Sequence, residues 1–409
     1  MTSFDPSPQL NVWRATLALA VVFVMLATTG WTAVRGHRAT TALQSSISSW
    51  EHGRLAGHRL PDPDAPPARL ARFFSSLDAG QRSGLAHRYP LAVGNMNGAP
   101  VELRYAANRI ALTRQRALEQ KRTHDVRLSA LGHQEARRLM HQFDTLLRPG
   151  RQVLAFDPAG SGRIAEVFGD LSRADRVSLV VPGVDTDLLT FQRTDRAYSA
   201  PVGMAKSLYA AERTAERTAG NGTRTAVIAW ADYTAPAGLG IEAATAMRAS
   251  AGAVRLNALL RALPGRAPVA LYCHSYGSVV CGVAARHLPA RVSDIAVAGS
   301  PGMRTGTAAG LGTSARVWAM RDADDWIQDV PYLEFGGLGH GADPVSGGFG
   351  ARVLSARGAK GHAGYFVPGT DSLRNFAGIG VGAYDTVACA HDNDGCRAGL
   401  SGTTTAGRA

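Results

Sequence analysis

The stretch that decides the fold is residues 267–282, Ala-Pro-Val-Ala-Leu-Tyr-Cys-His-Ser-Tyr-Gly-Ser-Val-Val-Cys-Gly. Its pattern predicts a short apolar strand, a tight turn that presents Ser275, and the start of a helix. In such a turn the serine hydroxyl is exposed, and the N–H of Tyr276 points to where an oxyanion would form. Strand and helix pass close together there, so small residues are needed on both sides. Gly277 fits this requirement, whereas Cys273 stands where glycine is usual. The stretch predicts a nucleophile elbow with one departure from the usual pattern.

Apolar strands and helical stretches alternate on both sides of this elbow. Strands are predicted at 151–157, 163–170, 176–181, 225–230, 269–273, 294–298 and 316–320, and helices at 204–218, 241–263 and 372–379. A hairpin turn joins the first two strands. This alternation is typical of an α/β fold with a mostly parallel sheet and helices on both faces.

A serine nucleophile needs a base, and the base needs an acid to orient it. In α/β-hydrolase folds the acid and then the histidine follow the serine along the chain. Three aspartates follow the strand at 316–320, at the end of the sheet where such folds place their sites. Asp325 is preferred, because Trp326 and Ile327 would pack its loop against the sheet and shield it from water. Asp322 and Asp324 remain alternatives.

Three histidines lie beyond that acid. His362 is in a glycine-rich loop just before the helical stretch at 372–379, where the last connection of the sheet should deliver a base. His340 is the second choice, and His391 lies in a turn-rich loop near the carboxyl terminus. We therefore expect His362 to be the base.

An oxyanion hole also needs a second N–H, which this type of fold takes from the loop after an early strand. The strand at 176–181 is followed by Pro182 and Gly183, in place of the more familiar His-Gly pair. The predicted donors are therefore the backbone N–H groups of Val184 and Tyr276.

Composition and charge exclude several other classes of protein. The 409 residues are 45% hydrophobic, enough for a large core, and the net charge is +12. Only three of the 44 basic residues are Lys, and no basic run with interleaved aromatics is present, so nucleic-acid binding is not expected. The sequence has no His-Glu-x-x-His, no Walker loop and no dinucleotide fingerprint. The acidic turn at 391–395 lacks the rest of a calcium loop. We expect neither a metal nor a cofactor.

The amino-terminal part is predicted to hold the protein at a membrane. Residues 15–34 carry no charge over about the length that spans a hydrocarbon core. We therefore assign 1–34 as a membrane anchor, or an export signal if it is cleaved, and 35–67 as a poorly structured linker. A domain at 68–409 follows, and its first part, 68–149, is a helical extension.

Four cysteines bear on which side of the membrane this domain lies. Cys273 and Cys281 flank the elbow, while Cys389 and Cys396 bracket a turn-rich loop, so two disulfides are possible. Four buried free thiols are the alternative. The basic residues around 15–34 favour a cytoplasmic domain weakly. Because two close pairs indicate an oxidising compartment, we expect the domain outside the cytoplasmic membrane.

Several strings together resemble a family of actinobacterial α/β-hydrolases known as a domain of unknown function. They lie at 93–100, 106–109, 154–158, 180–184, 228–236, 274–278, 299–302, 325–327, 361–362 and 368–375. The resemblance covers about 68–383 and implies an α/β-hydrolase fold with Ser275, Asp325 and His362 as its triad. It implies no substrate.

The expected function is a membrane-anchored serine hydrolase that cleaves an ester, or an amide or thioester. Its substrate would be a small-molecule or lipid-like ester. The alternative is a catalytically silent α/β-hydrolase-fold binding module of the cell envelope, because a fold alone does not establish activity.

Overall fold

A computed structural model describes residues 40–220, 222–390 and 395–400. Its centre is an eight-stranded sheet. The strands are β1 (Gln152–Asp157), β2 (Arg163–Phe168), β3 (Arg176–Val181), β4 (Thr225–Ala231), β5 (Val269–His274), β6 (Val292–Ala298), β7 (Arg316–Met320) and β8 (Arg352–Val353). Their order across the sheet is β1-β2-β4-β3-β5-β6-β7-β8. The contacts of β2 with β1 and β4 are antiparallel, and all the others are parallel. The prediction of a mostly parallel sheet is confirmed.

Helices cover both faces of the sheet. They are α1 (Ala42–Glu51), α2 (Pro67–Ser75), α3 (Ala79–Arg88), α4 (Pro90–Asn95), α5 (Val101–Arg122), α6 (Ala130–Leu146), α7 (Pro201–Ala219), α8 (Ile241–Ala244), α9 (Met247–Ala262), α10 (Gly277–Ala284) and α11 (Asp371–Val381). Neighbouring strand residues point to opposite faces. Thus Leu179 joins a core with Leu256 of α9, whereas Val180 joins one with Leu208 of α7 and Phe376 of α11.

Two details of the predicted order are corrected. The helix predicted at 241–263 is interrupted at Thr245, whose extended backbone forms a bridge with Leu338. The carbonyl of Thr245 also accepts a hydrogen bond from the Tyr276 hydroxyl at 2.7 Å, so a tertiary contact overrides the helical pattern. The edge strand β8 was not predicted, because two residues carry too little periodicity to be recognised.

Residues 35–67 were predicted to form a poorly structured linker, and the described part of this range is instead folded. Thr41 and Gln44 form a capping box at the start of α1, and the chain continues into a hairpin at 54–59. Trp50 is fully buried between Phe74 and Tyr89, and its indole N–H donates to a backbone carbonyl. One large aromatic side chain thus anchors a polar segment to the helical region.

Two asparagines attach the helical region at 68–149 to the edge of the sheet. Asn95, at the end of the short helix α4, exchanges two hydrogen bonds with the backbone of Phe156. The side-chain amide of buried Asn108 donates to the carbonyls of Gly94 and Val153, each at 3.0 Å. The helical region therefore packs directly on β1.

No helix in the described ranges is long and apolar enough to cross a membrane. The predicted span at 15–34 lies outside these ranges, and so does His391. Membrane attachment stays a prediction from the sequence.

Replacing Asn108 by Ala is expected to lower the free energy of unfolding by about 1–3 kcal/mol, because the Val153 carbonyl would lose this side-chain donor. Urea unfolding followed by circular dichroism measures the change. The control is Gln134→Ala, which removes an exposed amide from α6 and should change stability by at most about 0.5 kcal/mol. Equal stability of the Asn108→Ala variant and the wild type would contradict the proposed role of this amide.

Candidate active site

Ser275 lies in a strained turn between β5 and α10. Its φ is +54°, a conformation that is uncommon for residues other than glycine. The turn is held by the Ser275 N–H, which donates to the carbonyl of Ala298 on β6 at 3.1 Å. A methyl carbon at Gly277 would lie 2.2 Å from the carbonyl oxygen of Val181, so this position requires glycine. The backbone thus forms the sharp strand-to-helix turn predicted for residues 273–277.

Cys273 forms a disulfide with Cys281 and thereby links the end of β5 to α10. A second disulfide joins Cys389 to Cys396, so the two predicted pairs are confirmed and the alternative of four free thiols is wrong. The elbow disulfide explains the cysteine in the usual glycine position. Its sulfur is bonded to the helix, so the side chain is part of the strand–helix contact rather than an obstacle to it.

His362 and Asp325 form a close pair. The His362 Nδ1 lies 2.8 Å from Asp325 Oδ1 and 3.1 Å from Oδ2. The fully buried carboxylate also accepts hydrogen bonds from the Tyr365 hydroxyl at 2.5 Å and the Ile327 N–H at 2.9 Å. Burial by itself would raise the pKa of Asp325, but the bonds from His362, Tyr365 and Ile327 outweigh it and lower the pKa. The carboxylate is therefore ionised and fixed.

The two alternative acids occupy other positions. Asp322 accepts a hydrogen bond from the Gly361 N–H at 2.8 Å and so positions the loop that carries His362. Asp324 is exposed, and its N–H donates to Asp322. Of the three aspartates, Asp325 is the one that contacts the histidine.

The packing expected for the two residues after Asp325 is half right. Ile327 is buried, as predicted. Trp326 does not pack against the sheet: it is 41% exposed, and its ring centroid lies 4.7 Å from that of His362. Trp326 therefore covers one side of the histidine and not the carboxylate loop.

His274 contacts the main chain of the same histidine, and it was not predicted to be a site residue. Its Nε2 lies 2.6 Å from the carbonyl oxygen of His362, and the two rings are 4.8 Å apart. Burial lowers the pKa of His274 to about 3, so its ring is neutral near pH 7 and Nε2 carries the donated proton. The one available signal was its position next to Ser275.

The turn after β6 brings the elbow and the histidine–aspartate pair together. A methyl carbon at Gly299 would lie 2.8 Å from Asp325 Oδ2 and 3.0 Å from His362 Nδ1. Gly299 follows Ala298, which holds the Ser275 N–H, so Ser275 is beside the pair. In the described part of the chain, Ser275 Oγ and His362 Nε2 form no hydrogen bond with each other or with any other protein group. No other described protein group therefore competes for a hydrogen bond at either atom.

The loop after β3 approaches the elbow from the other side. A methyl carbon at Gly183 would lie 2.6 Å from Ser275 Cβ and 3.3 Å from the backbone nitrogen of Tyr276. The loop is fixed by the Tyr233 hydroxyl, which donates to the Pro182 carbonyl at 2.8 Å. Within the described residues, the N–H groups of Val184 and Tyr276 have no acceptor.

The second-choice base, His340, does not contact Asp325. Its Nε2 lies 2.7 Å from the carbonyl oxygen of Ala243, and its ring stands edge-on against Tyr276. His340 therefore joins the loop at 334–342 to α8. No cluster of His, Cys, Asp and Glu in the described ranges is arranged to hold a metal ion.

A comparison with known protein families shows which class of protein this chain resembles. Residues 157–335 match the profile of a family described as Alpha/beta hydrolase. This segment contains Ser275 and Asp325, whereas His362 lies beyond it. Over this segment the chain is similar to α/β-hydrolases, the mostly parallel sheet agrees with that similarity, and the match supports a hydrolase.

Two particular relatives are uncharacterized proteins of Mycobacterium tuberculosis, MT2140 of strain CDC 1551 / Oshkosh and Rv2079 of strain H37Rv. Each is 25% identical over 391 residues, covering 81% of this chain. The chain spans 58% of the length of these relatives. The predicted resemblance to actinobacterial α/β-hydrolases is confirmed.

Neutral, buried His274 should make stability depend on pH. Because its folded pKa of about 3 lies below the ordinary 6.5, the unfolded chain takes up the proton first. The stabilisation is complete above about pH 6.5 and is lost as the pH falls toward 3. Between pH 7 and pH 5, the free energy of unfolding should fall by about 2 kcal/mol more in the wild type than in His274→Gln. Urea unfolding at both pH values measures this difference, and equal losses would contradict it.

Proposed function

We propose that this protein is a serine hydrolase that cleaves carboxylic esters, and less readily amides or thioesters. The observation that carries the proposal is the hydrogen bond between His362 and the ionised Asp325, which form a pair beside the strained turn at Ser275. The similarity to α/β-hydrolases supports hydrolysis as the reaction. The ester preference and the roles given below are part of the proposal.

In the first half of the reaction, Ser275 Oγ attacks the ester carbonyl carbon while its proton passes to His362 Nε2. The carbonyl oxygen becomes an oxyanion, to which the N–H groups of Val184 and Tyr276 donate. When the tetrahedral intermediate collapses, the bond from carbon to the alcohol oxygen breaks. The alcohol leaves with the proton from His362, and an acyl group remains on Ser275.

In the second half, water replaces the alcohol. His362 accepts a proton from the water as its oxygen bonds to the acyl carbon, and the same oxyanion forms again. Collapse breaks the bond to Ser275 Oγ, which takes the proton back from His362. The product is a carboxylic acid, and the enzyme returns to its starting state.

Asp325 makes this proton transfer possible by holding His362 with its Nδ1 protonated, so that Nε2 is free to accept a proton. Tyr365 and His274 are positioning residues. Tyr365 holds the carboxylate, and His274 holds the backbone of His362. The catalytic histidine is thus fixed through both its ring and its main chain.

A location outside the cytoplasmic membrane stays a prediction. The pairing of all four cysteines supports it, because disulfides persist mainly in oxidising compartments. Attachment through residues 15–34 is the expectation that accompanies it.

A fluorophosphonate probe separates the enzyme from a silent binding module. The folded wild-type protein should form a covalent adduct on Ser275, and Ser275→Ala should form none. The same variant should lose at least about 1,000-fold in kcat on nitrophenyl esters. The control is Ser45→Ala, which removes an exposed hydroxyl from α1 and should label like the wild type. A folded wild-type protein that forms no adduct would support the binding module instead.

Tyr365→Phe tests the positioning of Asp325. Loss of this hydrogen bond is expected to lower kcat about tenfold, because a weaker hold on the carboxylate leaves His362 less well oriented, and tenfold corresponds to about 1.4 kcal/mol in the barrier. KM should change little, since Tyr365 does not touch the proposed acyl path. The control is Tyr198→Phe, at an exposed tyrosine that is distant in sequence from Tyr365. A change confined to KM, with kcat intact, would contradict the role.

A further inference from the structure

Exposed apolar side chains are concentrated on two neighbouring segments. Twelve large apolar side chains are exposed in the described residues. Six of them, which we call the apolar rim, are Leu239, Ile241, Met247, Leu333, Phe335 and Leu338. The rim thus holds half of these side chains on about fifteen residues of the chain, although single exposed apolar residues are normally scattered.

The two rim segments contact each other. Thr245 and Leu338 form an antiparallel bridge, and His340 Nε2 lies 2.7 Å from the carbonyl oxygen of Ala243. The rim is therefore one continuous surface formed by 239–247 and the hairpin at 333–339.

This surface is fastened to the residue that follows the nucleophile. The Tyr276 hydroxyl donates to the Thr245 carbonyl at 2.7 Å and accepts from the Ala249 N–H at 3.1 Å. The rings of Tyr276 and His340 are nearly perpendicular, with centroids 5.7 Å apart. The rim segment at 239–247 is therefore hydrogen-bonded to the side chain of the residue next to Ser275.

The hairpin is also tied to the turn beside the histidine. The Tyr332 hydroxyl lies 3.1 Å from the carbonyl oxygen of Ser300 and 3.0 Å from that of Ile327, and Ser300 follows Gly299. The exposed Trp326, whose ring is tilted by 45° against that of His362 with the centroids 4.7 Å apart, adds one more apolar side chain beside the base. Each rim segment is thus connected to a turn next to the site, one through Tyr276 and the other through Ser300.

Charges within the rim cancel in pairs. Arg248 Nη2 lies 2.5 Å from Glu242 Oε1, and Arg304 Nη2 lies 2.5 Å from Glu334 Oε1. A neutral, apolar surface is what the acyl chains of an uncharged ester would contact. Ser275, which the substrate must reach, is only 6% exposed. The position of the rim therefore favours the substrate itself as its occupant.

We propose that the apolar rim binds the surface of aggregated, water-insoluble acyl esters, so that the preferred substrate is an emulsified or membrane-borne neutral ester. This inference rests on the proposed serine hydrolase function. Contact with the aggregate buries the rim, and an acyl chain reaches Ser275 without crossing water.

The test follows the rate of the full-length protein on tributyrin across the solubility limit of this ester. The wild type should show a rate on the emulsion at least fivefold above the value extrapolated from dissolved tributyrin. Phe335→Ser and Met247→Ser, at side chains that are 83% and 69% exposed, should each lower this ratio at least threefold. Because they are so exposed, the fold loses little packing.

The matched control is Val126→Ser, at a 93% exposed apolar residue in the turn between α5 and α6, which should keep the wild-type ratio. A rate that rises smoothly through the solubility limit, or rim variants that keep the full increase, would overturn the inference.

Two further outcomes are informative. A wild-type dimer that dissociates in Phe335→Ser, with no increase on the emulsion, would overturn the inference and make the rim a contact between copies. If dissolved tributyrin is hydrolysed but the emulsion is not preferred, the inference alone fails. If neither is hydrolysed and no adduct forms on Ser275, the proposed function fails as well.

Discussion

The strained backbone at Ser275 is the constraint on which the rest of the site depends. A non-glycine residue in this conformation costs of order 1–3 kcal/mol and persists only where its surroundings hold it. Here Ala298 binds the Ser275 N–H, the missing side chain of Gly277 lets the helix approach β3, and a disulfide links strand to helix. Parallel pairing in the centre of the sheet brings these groups together, so the sheet order is a requirement of the elbow.

A second constraint is the buried charge of Asp325. A carboxylate without exposure is very unfavourable unless it is paired and hydrogen-bonded. Three donors meet that need, from His362, Tyr365 and the backbone of Ile327. The bonds that make the burial tolerable are therefore the ones that orient the histidine. Stability of the charge and orientation of the base are two consequences of the same contacts.

How much of the fold and of the site could be predicted depends on how far apart in the sequence the interacting residues lie. The elbow, the buried strands and the Ser275, Asp325, His362 order follow from local patterns and the chain order of the fold. Contacts between distant segments do not appear in local patterns, and this is why Tyr365 was missed and the helix break at Thr245 was not expected. The folding of residues 42–59 around Trp50 was hidden for the same reason.

Tyr276 joins the two parts of the functional argument. Its backbone N–H faces the position proposed for the oxyanion, while its hydroxyl holds Thr245 and Ala249. The ring is 2% exposed, so it cannot shift alone. In the proposed mechanism, any displacement of the segment at 239–247, such as contact with a lipid surface would produce, acts on the residue proposed to supply an oxyanion donor. If both proposals hold, selection of the substrate and stabilisation of the transition state pass through one rigid side chain, which would couple them more tightly than two independent sites.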